Sequence, residues 1–409
     1  VTVVGGVLIA AAAVGGAPLA GAIHGISVSD MRAVLLSSAC VLLASMLSTL
    51  AAAYPVGQRR MVAPNVGLVA GAVLSFVASI GSITLGGGLV EYAYANAGAG
   101  ALSALIVIAF VLRVERSIPL TWPRWRTVTG FLRFSGNTQL VGWADLVNYQ
   151  TDKVVIALAV GPSAAGAYEL ANRVATAARQ VGVYSLSALL PTLASDLARF
   201  GMDRIRRRYR RLLTVTVSIG LPLLLLVAAI APLLLMAWLS HVPRDATAVL
   251  AALSIAYIAN VSSGVSYVVA AAAGAPGIAA RAAAGTAVLN LALTAALAPL
   301  FGIWGVLAGT VMALSTGALA QVLMVHLRFS LSLADYRNAV LPTLVAGTLL
   351  AAPIAAISYS GIVSDRGLAI PAVLVVSAAY LLAYGRWAFR SGRVPETVAR
   401  RFSAALSRA

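Results

Sequence analysis

A chain of 409 residues that is 61% hydrophobic and only 10% charged, with a mean hydropathy of +0.94, is not an ordinary water-soluble globule. Its composition fits a protein whose solvent is lipid. The formal net charge of +17 and a pI of about 11.0 would suit a nucleic-acid binder, but the positions of the arginines exclude that reading.

Apolar stretches of the roughly 20 residues needed to cross a ~30 Å hydrocarbon core recur from end to end. They place spans at 3–23, 33–54, 66–86, 88–112, 131–159, 164–195, 212–239, 246–273, 278–300, 303–326, 338–359 and 368–388. The first has neither a basic leader nor a small-residue cleavage signal, so it is read as a retained span. Taking the connecting segments alternately, one set holds Arg59 and Arg60; Arg113, Arg116, Arg124 and Arg126; Arg199, Arg204, Arg206, Arg207, Arg208, Arg210 and Arg211; Arg281; Arg328 and Arg337; and the tail from Arg386 to Arg408. The other set holds only Arg32, Arg244 and Arg366. Such alternation is the positive-inside pattern. It places both termini in the cytoplasm, with an even number of spans, and leaves no basic surface for nucleic acid. Two basic connecting segments, Trp122–Thr129 and Met202–Leu212, interleave Arg with Trp, Ile, Tyr and Leu, as expected of short helices lying on an anionic inner leaflet.

Charge inside a span costs at least about 2.5–3.5 kcal/mol at the bilayer centre, so ionisable residues there point to function. Two consecutive spans hold nearly all of them. The span 131–159 contains Arg133, Asp145, Asp152 and Lys153, with Asn137, Thr138, Asn148 and Tyr149. At 100° per residue Asn137, Thr138, Asp145, Asn148 and Asp152 form one stripe, with the two aspartates a heptad apart and nearly superimposed. The next span carries Glu169, Asn172, Arg173, Thr176, Arg179, Gln180 and Ser187 on a single arc of roughly 140°. That arc either lines a hydrated cavity or packs as an ion-pair network, with Glu169 neutralising Arg173 at i, i+4 and Asp152 pairing with Lys153 or Arg133. Four cations against three carboxylates leave a positive remainder, and Arg179 falls near mid-membrane. A forked guanidinium there suits a phosphate or pyrophosphate headgroup.

Elsewhere Asn260, Asn290 and Gln321 are single polar groups that interhelical hydrogen bonding accounts for. His24, His241 and His326 sit at helix ends as interfacial residues, and Cys40 is the one cysteine, so no disulfide framework or metal cluster is expected. No phosphate-binding G-x-x-x-x-G-K-[ST], H-E-x-x-H or G-x-S-x-G occurs, and the outward loops are too short for a catalytic site. These features point to a carrier rather than an enzyme, with no cofactor.

The stretch F-L-R-F-S-G-N-T-Q-L…Q-T-D-K-V-V-I-A-L-A-V-G-P-S-A-A-G-A-Y-E-L-A-N-R-V over 131–174, followed by S-A-L-L-P-T-L-A-S from Ser187 and N-L-A-L-T-A-A-L-A-P-L-F-G-I-W-G-V-L-A-G-T over 290–310, resembles a known family. It is similar to bacterial polysaccharide transporters, the lipid-linked oligosaccharide flippases of the multidrug/oligosaccharidyl-lipid/polysaccharide (MOP) exporter superfamily. The resemblance implies an all-α polytopic bundle of about twelve transmembrane helices, in two lobes around a central cavity that alternates its access. On that scheme 1–112 is an N-terminal lobe of four helices, 113–130 a basic amphipathic cytoplasmic linker and 131–327 a six-helix C-terminal lobe. Two additional helices lie within 338–389, and 390–409 is a basic cytoplasmic tail. Only four helices precede the one that resembles the family's seventh, so the family's first two are expected to be missing and the chain to be truncated.

The resemblance further implies that the protein flips an undecaprenyl-pyrophosphate-linked glycan across the bacterial inner membrane for polysaccharide biosynthesis. Arg173, Arg179, Lys153, Arg133, Asn148 and Gln180 would bind substrate, and Asp145, Asp152 and Glu169 would couple an ion. The implied partners are the lipid-linked oligosaccharide, anionic membrane lipids, and a polysaccharide polymerase and glycosyltransferases. A drug/cation antiporter of the same superfamily and a non-transporting scaffold for polysaccharide assembly are the alternatives.

Overall fold

The computed structural model describes residues 27–57, 62–114, 125–187, 189–239, 242–243, 245–363 and 365–393. The expected span 3–23, His24, His241 and the tail beyond 393 lie outside them. Twelve helices are described: α1 Val28–Gly57, α2 Val62–Thr84, α3 Leu89–Val114, α4 Trp125–Ala159, α5 Pro162–Ser187, α6 Leu189–Ala229, α7 Ala231–Trp238, α8 Ala246–Ala272, α9 Pro276–Phe301, α10 Ile303–Phe329, α11 Leu333–Tyr359 and α12 Arg366–Arg390. The described residues contain no strand. Nine of these helices are long and apolar enough to cross a membrane. The exceptions are the eight-residue α7 and the two polar helices α4 and α5, the pair in which the sequence concentrates its charge. Large apolar side chains such as Leu68, Phe76, Leu85, Leu300, Leu327 and Leu382 stand exposed. In water this much apolar surface would drive aggregation; facing acyl chains it costs nothing.

The chain divides into two compact units, Val1–Pro123 and Arg124–Ala409. In the first, α3 packs against both α1 and α2. Its small residues Ala97, Ala99, Ser103 and Ala104 are buried, which lets backbones approach closely where no hydrophobic drive separates helix from lipid. The Ser103 hydroxyl donates to the Gly67 carbonyl at 3.3 Å, and Ala52, Val107 and Val111 form the local core.

In the second unit α8 is the central helix, packed on α5, α6 and α10, while α9 and α10 form a hairpin that also receives α4. The core runs through Ile156, Tyr168, Leu213, Leu250, Tyr257, Val265 and Val306. The hairpin is tight because Gly305 lies so close to the Leu297 carbonyl that any β-carbon would overlap it. Helices α11 and α12 are N-capped by Ser332 and Asp365 and pack through Ala351, Tyr380 and Tyr384 on Leu226, Ala229 and Ile230.

Two expectations change. Among the described residues the span expected at 164–195 is covered by α5 and the start of α6, and the basic segment 202–212 is not a separate surface helix: it continues directly into the apolar part of α6. The break in α6 falls at Gly201, whose φ of 69° and ψ of −175° only glycine adopts without strain. His326 stands in the last turn of α10, a helix end as expected, but its side chain is buried within the protein. It is 3% exposed, its Nε2 is 2.8 Å from the Tyr209 hydroxyl, and its ring meets Tyr209 and Tyr336 edge-on.

Candidate functional site

Within the second unit a cavity of about 400 Å³ is walled by α4, α5, α8, α9 and α10. Helix α4 supplies Val141, Asp145, Asn148 and Tyr149, one face at i, i+4, i+7 and i+8, and α5 supplies Arg179, Val183 and Leu186. Asn260 and Tyr267 enter from α8, Thr286 from α9 and Gln321 from α10, among apolar residues such as Val261, Val268 and Leu314.

Arg179 is held entirely by neutral groups. Its Nη1 donates to the Tyr149 hydroxyl at 3.0 Å and to Asn260 Oδ1 at 3.2 Å, and its Cζ lies 4.5 Å and 5.1 Å from the ring centroids of Tyr149 and Tyr257. Such rings favour a cation without cancelling its charge. Tyr257 is itself fixed by its hydroxyl's 2.7 Å bond to Asn172 Oδ1. Asp145, on the same cavity wall, lies within electrostatic reach of Arg179. Three polar atoms of the wall are buried without a hydrogen-bond partner: Arg179 Nε, Asn148 Oδ1 and Gln321 Nε2.

Asp152, two turns beyond Asp145, lies off the cavity and is 1% exposed. Its Oδ2 accepts from the Tyr168 hydroxyl at 2.8 Å and the Thr310 hydroxyl at 2.7 Å, and its Oδ1 accepts from Asn290 Nδ2 at 3.4 Å. The same Asn290 amide reaches the Asn148 carbonyl at 3.4 Å, so α4, α5, α9 and α10 meet at this carboxylate. The pairing of Asp152 with Lys153 that sequence allows is not the one formed. Lys153 turns instead to Glu169 at 2.6 Å and Gln150 at 2.7 Å, and Glu169 also takes Arg173 Nε at 2.9 Å. Glu169 therefore absorbs two of the cations, and neither Lys153, Glu169, Arg173 nor Gln180 lines the cavity. The side chain of Arg133 lies outside the described residues.

Sequence reasoning brought Asp145, Asn148 and Arg179 to one cavity and missed Asn260, Gln321 and Tyr257 as their companions. Helical phase alone cannot signal contacts made 81 residues apart, as between Arg179 and Asn260. Because the Arg173 side chain is 72% exposed, Arg173→Ala is expected to change the stability of the purified protein by no more than about 1 kcal/mol, read from its thermal unfolding in detergent.

A bundle of long lipid-compatible helices, whose two polar members contribute Asp145 and Arg179 to a cavity walled by five helices, defines a polytopic membrane transporter fold. The comparisons narrow it. Residues 2–195 match the family described as "Polysaccharide biosynthesis protein". The fold is similar to that of the lipid II flippase MurJ in its inward closed conformation, with a TM-score of 0.67 and 12% identity over 88% of this chain and 75% of that one. It is similar also to a MATE in the straight conformation (TM-score 0.58, 17% identity, 80% and 76% covered) and to the Vibrio cholerae MATE transporter VcmN in the bent form (TM-score 0.56, 18% identity, 84% and 78% covered). No match is found among curated proteins. The chain is a multi-pass membrane protein with the fold seen in the MurJ flippase and the MATE transporters, and its N-terminal half is similar to the polysaccharide biosynthesis family.

Proposed function

We propose that this protein carries a lipid-linked oligosaccharide, an undecaprenyl-pyrophosphate-linked glycan, from the cytoplasmic to the outer leaflet of the bacterial inner membrane. The observation that supports this most is Arg179: a guanidinium on a cavity wall, held by neutral groups that leave its charge uncancelled. A planar fork in a low-dielectric cavity binds phosphate oxygens through charge-assisted hydrogen bonds. In this reading Asn148 also meets substrate, while Arg133, Lys153, Arg173 and Gln180 act at other stages of its passage. Asp145, Asp152 and Glu169 are the groups through which an ion gradient is coupled. The alternation of Arg along the loops supports cytoplasmic termini, and 113–130 is the linker between an N-terminal lobe and the C-terminal lobe with its two additional helices in this reading. A polymerase and glycosyltransferases would then act on either side of the same glycan.

The full chain in proteoliposomes is expected to move a fluorescent pyrophosphate-linked glycolipid between leaflets faster than protein-free vesicles do. A second reading, a drug/cation antiporter, is favoured by Asp145 standing with Tyr149 and Tyr267 on the same cavity, a carboxylate and rings suited to a cation. Counterflow of an organic cation with no movement of the glycolipid would overturn the flippase and support the antiporter.

A further inference from the structure

Away from the cavity, the basic stretch of α6 gathers a second concentration of charge in the second unit. Ile205, Tyr209 and Leu213, one face at i, i+4 and i+8, are buried, while Arg206, Arg207, Arg208, Arg210 and Arg211 stand exposed around the rest of the helix. The buried face is anchored in the protein. The Tyr209 hydroxyl lies 3.0 Å from Ser266 Oγ and 2.8 Å from His326 Nε2, and the His326 ring meets Tyr336 of α11 edge-on. Arg206 Nε donates to the Phe329 carbonyl at 3.0 Å, which ties the same turn to the end of α10. These arginines are therefore held in place by the bundle rather than spread along a loose surface helix.

Carboxylates neutralise only some of them. Asp196 takes Arg204 and Arg208, and Asp203 takes Arg206. Among the described residues Arg207, Arg210, Arg211 and Arg393 enter no ion pair. Arg393, just past α12, is nevertheless firmly held. Its Nη1 donates to the Ala339 carbonyl at 2.8 Å and the Thr343 hydroxyl at 2.9 Å, its Nη2 donates to the Asn338 carbonyl at 3.1 Å, and its Cζ lies 5.3 Å from the Trp387 ring centroid. All of these partners are neutral, so the guanidinium is fixed with its charge intact. Helix α6 packs along α11, and Arg210 lies within electrostatic reach of Arg393. Two like charges held together repel, and an anion bound between them replaces one repulsion with two attractions. The level of the site says which anion. Arg393 closes a helix long and apolar enough to cross a membrane, Trp387 is an aromatic of the interfacial kind, and Leu382 and Phe389 stand exposed on the same helix. A phosphate that arrives attached to acyl chains finds an apolar wall for them there, and free phosphate gains nothing from it.

We infer that the junction of α6, α11 and α12 is a binding site for the phosphate of an anionic phospholipid, gripped between Arg210 and Arg393 with its acyl chains along α12. On the topology proposed above the lipid comes from the inner leaflet, where anionic headgroups meet basic pockets between helices. Such a lipid ties the end of α12 to α6, whatever the cavity of the same unit carries.

The test reconstitutes the purified full chain in bilayers of phosphatidylcholine and phosphatidylglycerol, one lipid at a time carrying brominated acyl chains, which quench a tryptophan they touch. Brominated phosphatidylglycerol is expected to quench more than brominated phosphatidylcholine at equal mole fraction, by a difference that Trp387→Phe removes. Arg210→Gln is expected to weaken that preference about fivefold, the share of one arginine near an anionic surface. No hydrogen bond or ion pair among the described residues holds the Arg210 side chain, so its replacement leaves the fold intact. Arg281→Gln removes the same charge from exposed Arg281 on α9 and is expected to change the preference by less than about twofold. Inorganic phosphate, compared with sodium chloride at equal ionic strength, is expected to leave the quenching unchanged. Equal quenching by the two lipids in the unaltered protein, or equal losses in the Arg210 and Arg281 variants, would reduce the site to the general attraction of a basic face and overturn it. Displacement by inorganic phosphate would overturn the lipid in favour of a soluble anion. Because lipid preference is read without any transport, these outcomes are distinct from those that decide the flippase.

Discussion

Arg179→Ala is expected to lower flipping of a pyrophosphate-linked glycolipid roughly a hundredfold while the protein stays inserted and folded. The size follows from what is lost. A guanidinium offers phosphate two charge-assisted hydrogen bonds, each worth about 1.5–3 kcal/mol, and every 1.4 kcal/mol is about tenfold. Stability should suffer less, because the Tyr149 hydroxyl and Asn260 Oδ1, released from Arg179, face a cavity that water can fill. Arg179→Lys keeps the charge, yet it loses the fork and the stacking on Tyr149 and Tyr257, so an intermediate loss of about tenfold is expected. Leaflet exchange in proteoliposomes, scored against the amount of inserted protein, separates these outcomes. In cells the same Ala variant should lose surface polysaccharide. Undiminished flipping by a stably inserted Arg179→Ala, Arg173→Ala double variant would remove the headgroup role altogether.

Much of the architecture was legible because a bilayer imposes one length on every crossing element. Helices α1 to α3 and α8 to α12 lie where runs of about 20 apolar residues place them, to within a few residues at each end. The polar pair α4 and α5 was legible for the opposite reason, since ionisable residues repeated on one face cannot be an accident of lipid-facing surface. The break within α6 was not legible. Arginine is a good helix former, so the basic stretch after Gly201 propagates α6 rather than interrupting it, and only the positive φ of Gly201 marks the break.

Partner choice was the larger gap. The arc of α5 offered two readings, a cavity lining or an ion-pair network, and the structure contains both: Glu169 gathers Lys153 and Arg173, while Arg179 faces the cavity. Which residue takes which role depends on side chains from α8, α9 and α10 that lie far off in sequence. Asn290 shows the limit well. Its reading as an amide that finds an interhelical partner agrees with its bonds to Asp152 and the Asn148 carbonyl, but no pattern in the chain names those partners.

Asp152 carries the second large expected effect, and here stability and transport should part. Alanine at 152 removes an acceptor shared by three donors on three other helices. Thr310 can fall back on the Val306 carbonyl, already 2.9 Å from its hydroxyl, and Asn290 keeps its 3.4 Å bond to the Asn148 carbonyl, but the Tyr168 hydroxyl is left unpaired in a dry interior. At about 1–3 kcal/mol for the orphaned hydroxyl, Asp152→Ala is expected to cost about 1–3 kcal/mol, seen as a clear fall in the thermal midpoint of the purified protein. Asp152→Asn keeps the shape and an acceptor oxygen, with the Asn290 amide free to rotate toward the new nitrogen, so its loss should stay near 1 kcal/mol. That variant therefore isolates the charge. If Asp152 couples an ion gradient, the folded Asn protein should still pass glycolipid down its own gradient but no longer respond to an imposed proton or sodium gradient. An unaltered response would reduce Asp152 to a structural tie between α4 and the α9–α10 hairpin. Coupling would then rest on Asp145, which stands on the cavity wall beside Arg179, where substrate charge and ion could compete directly.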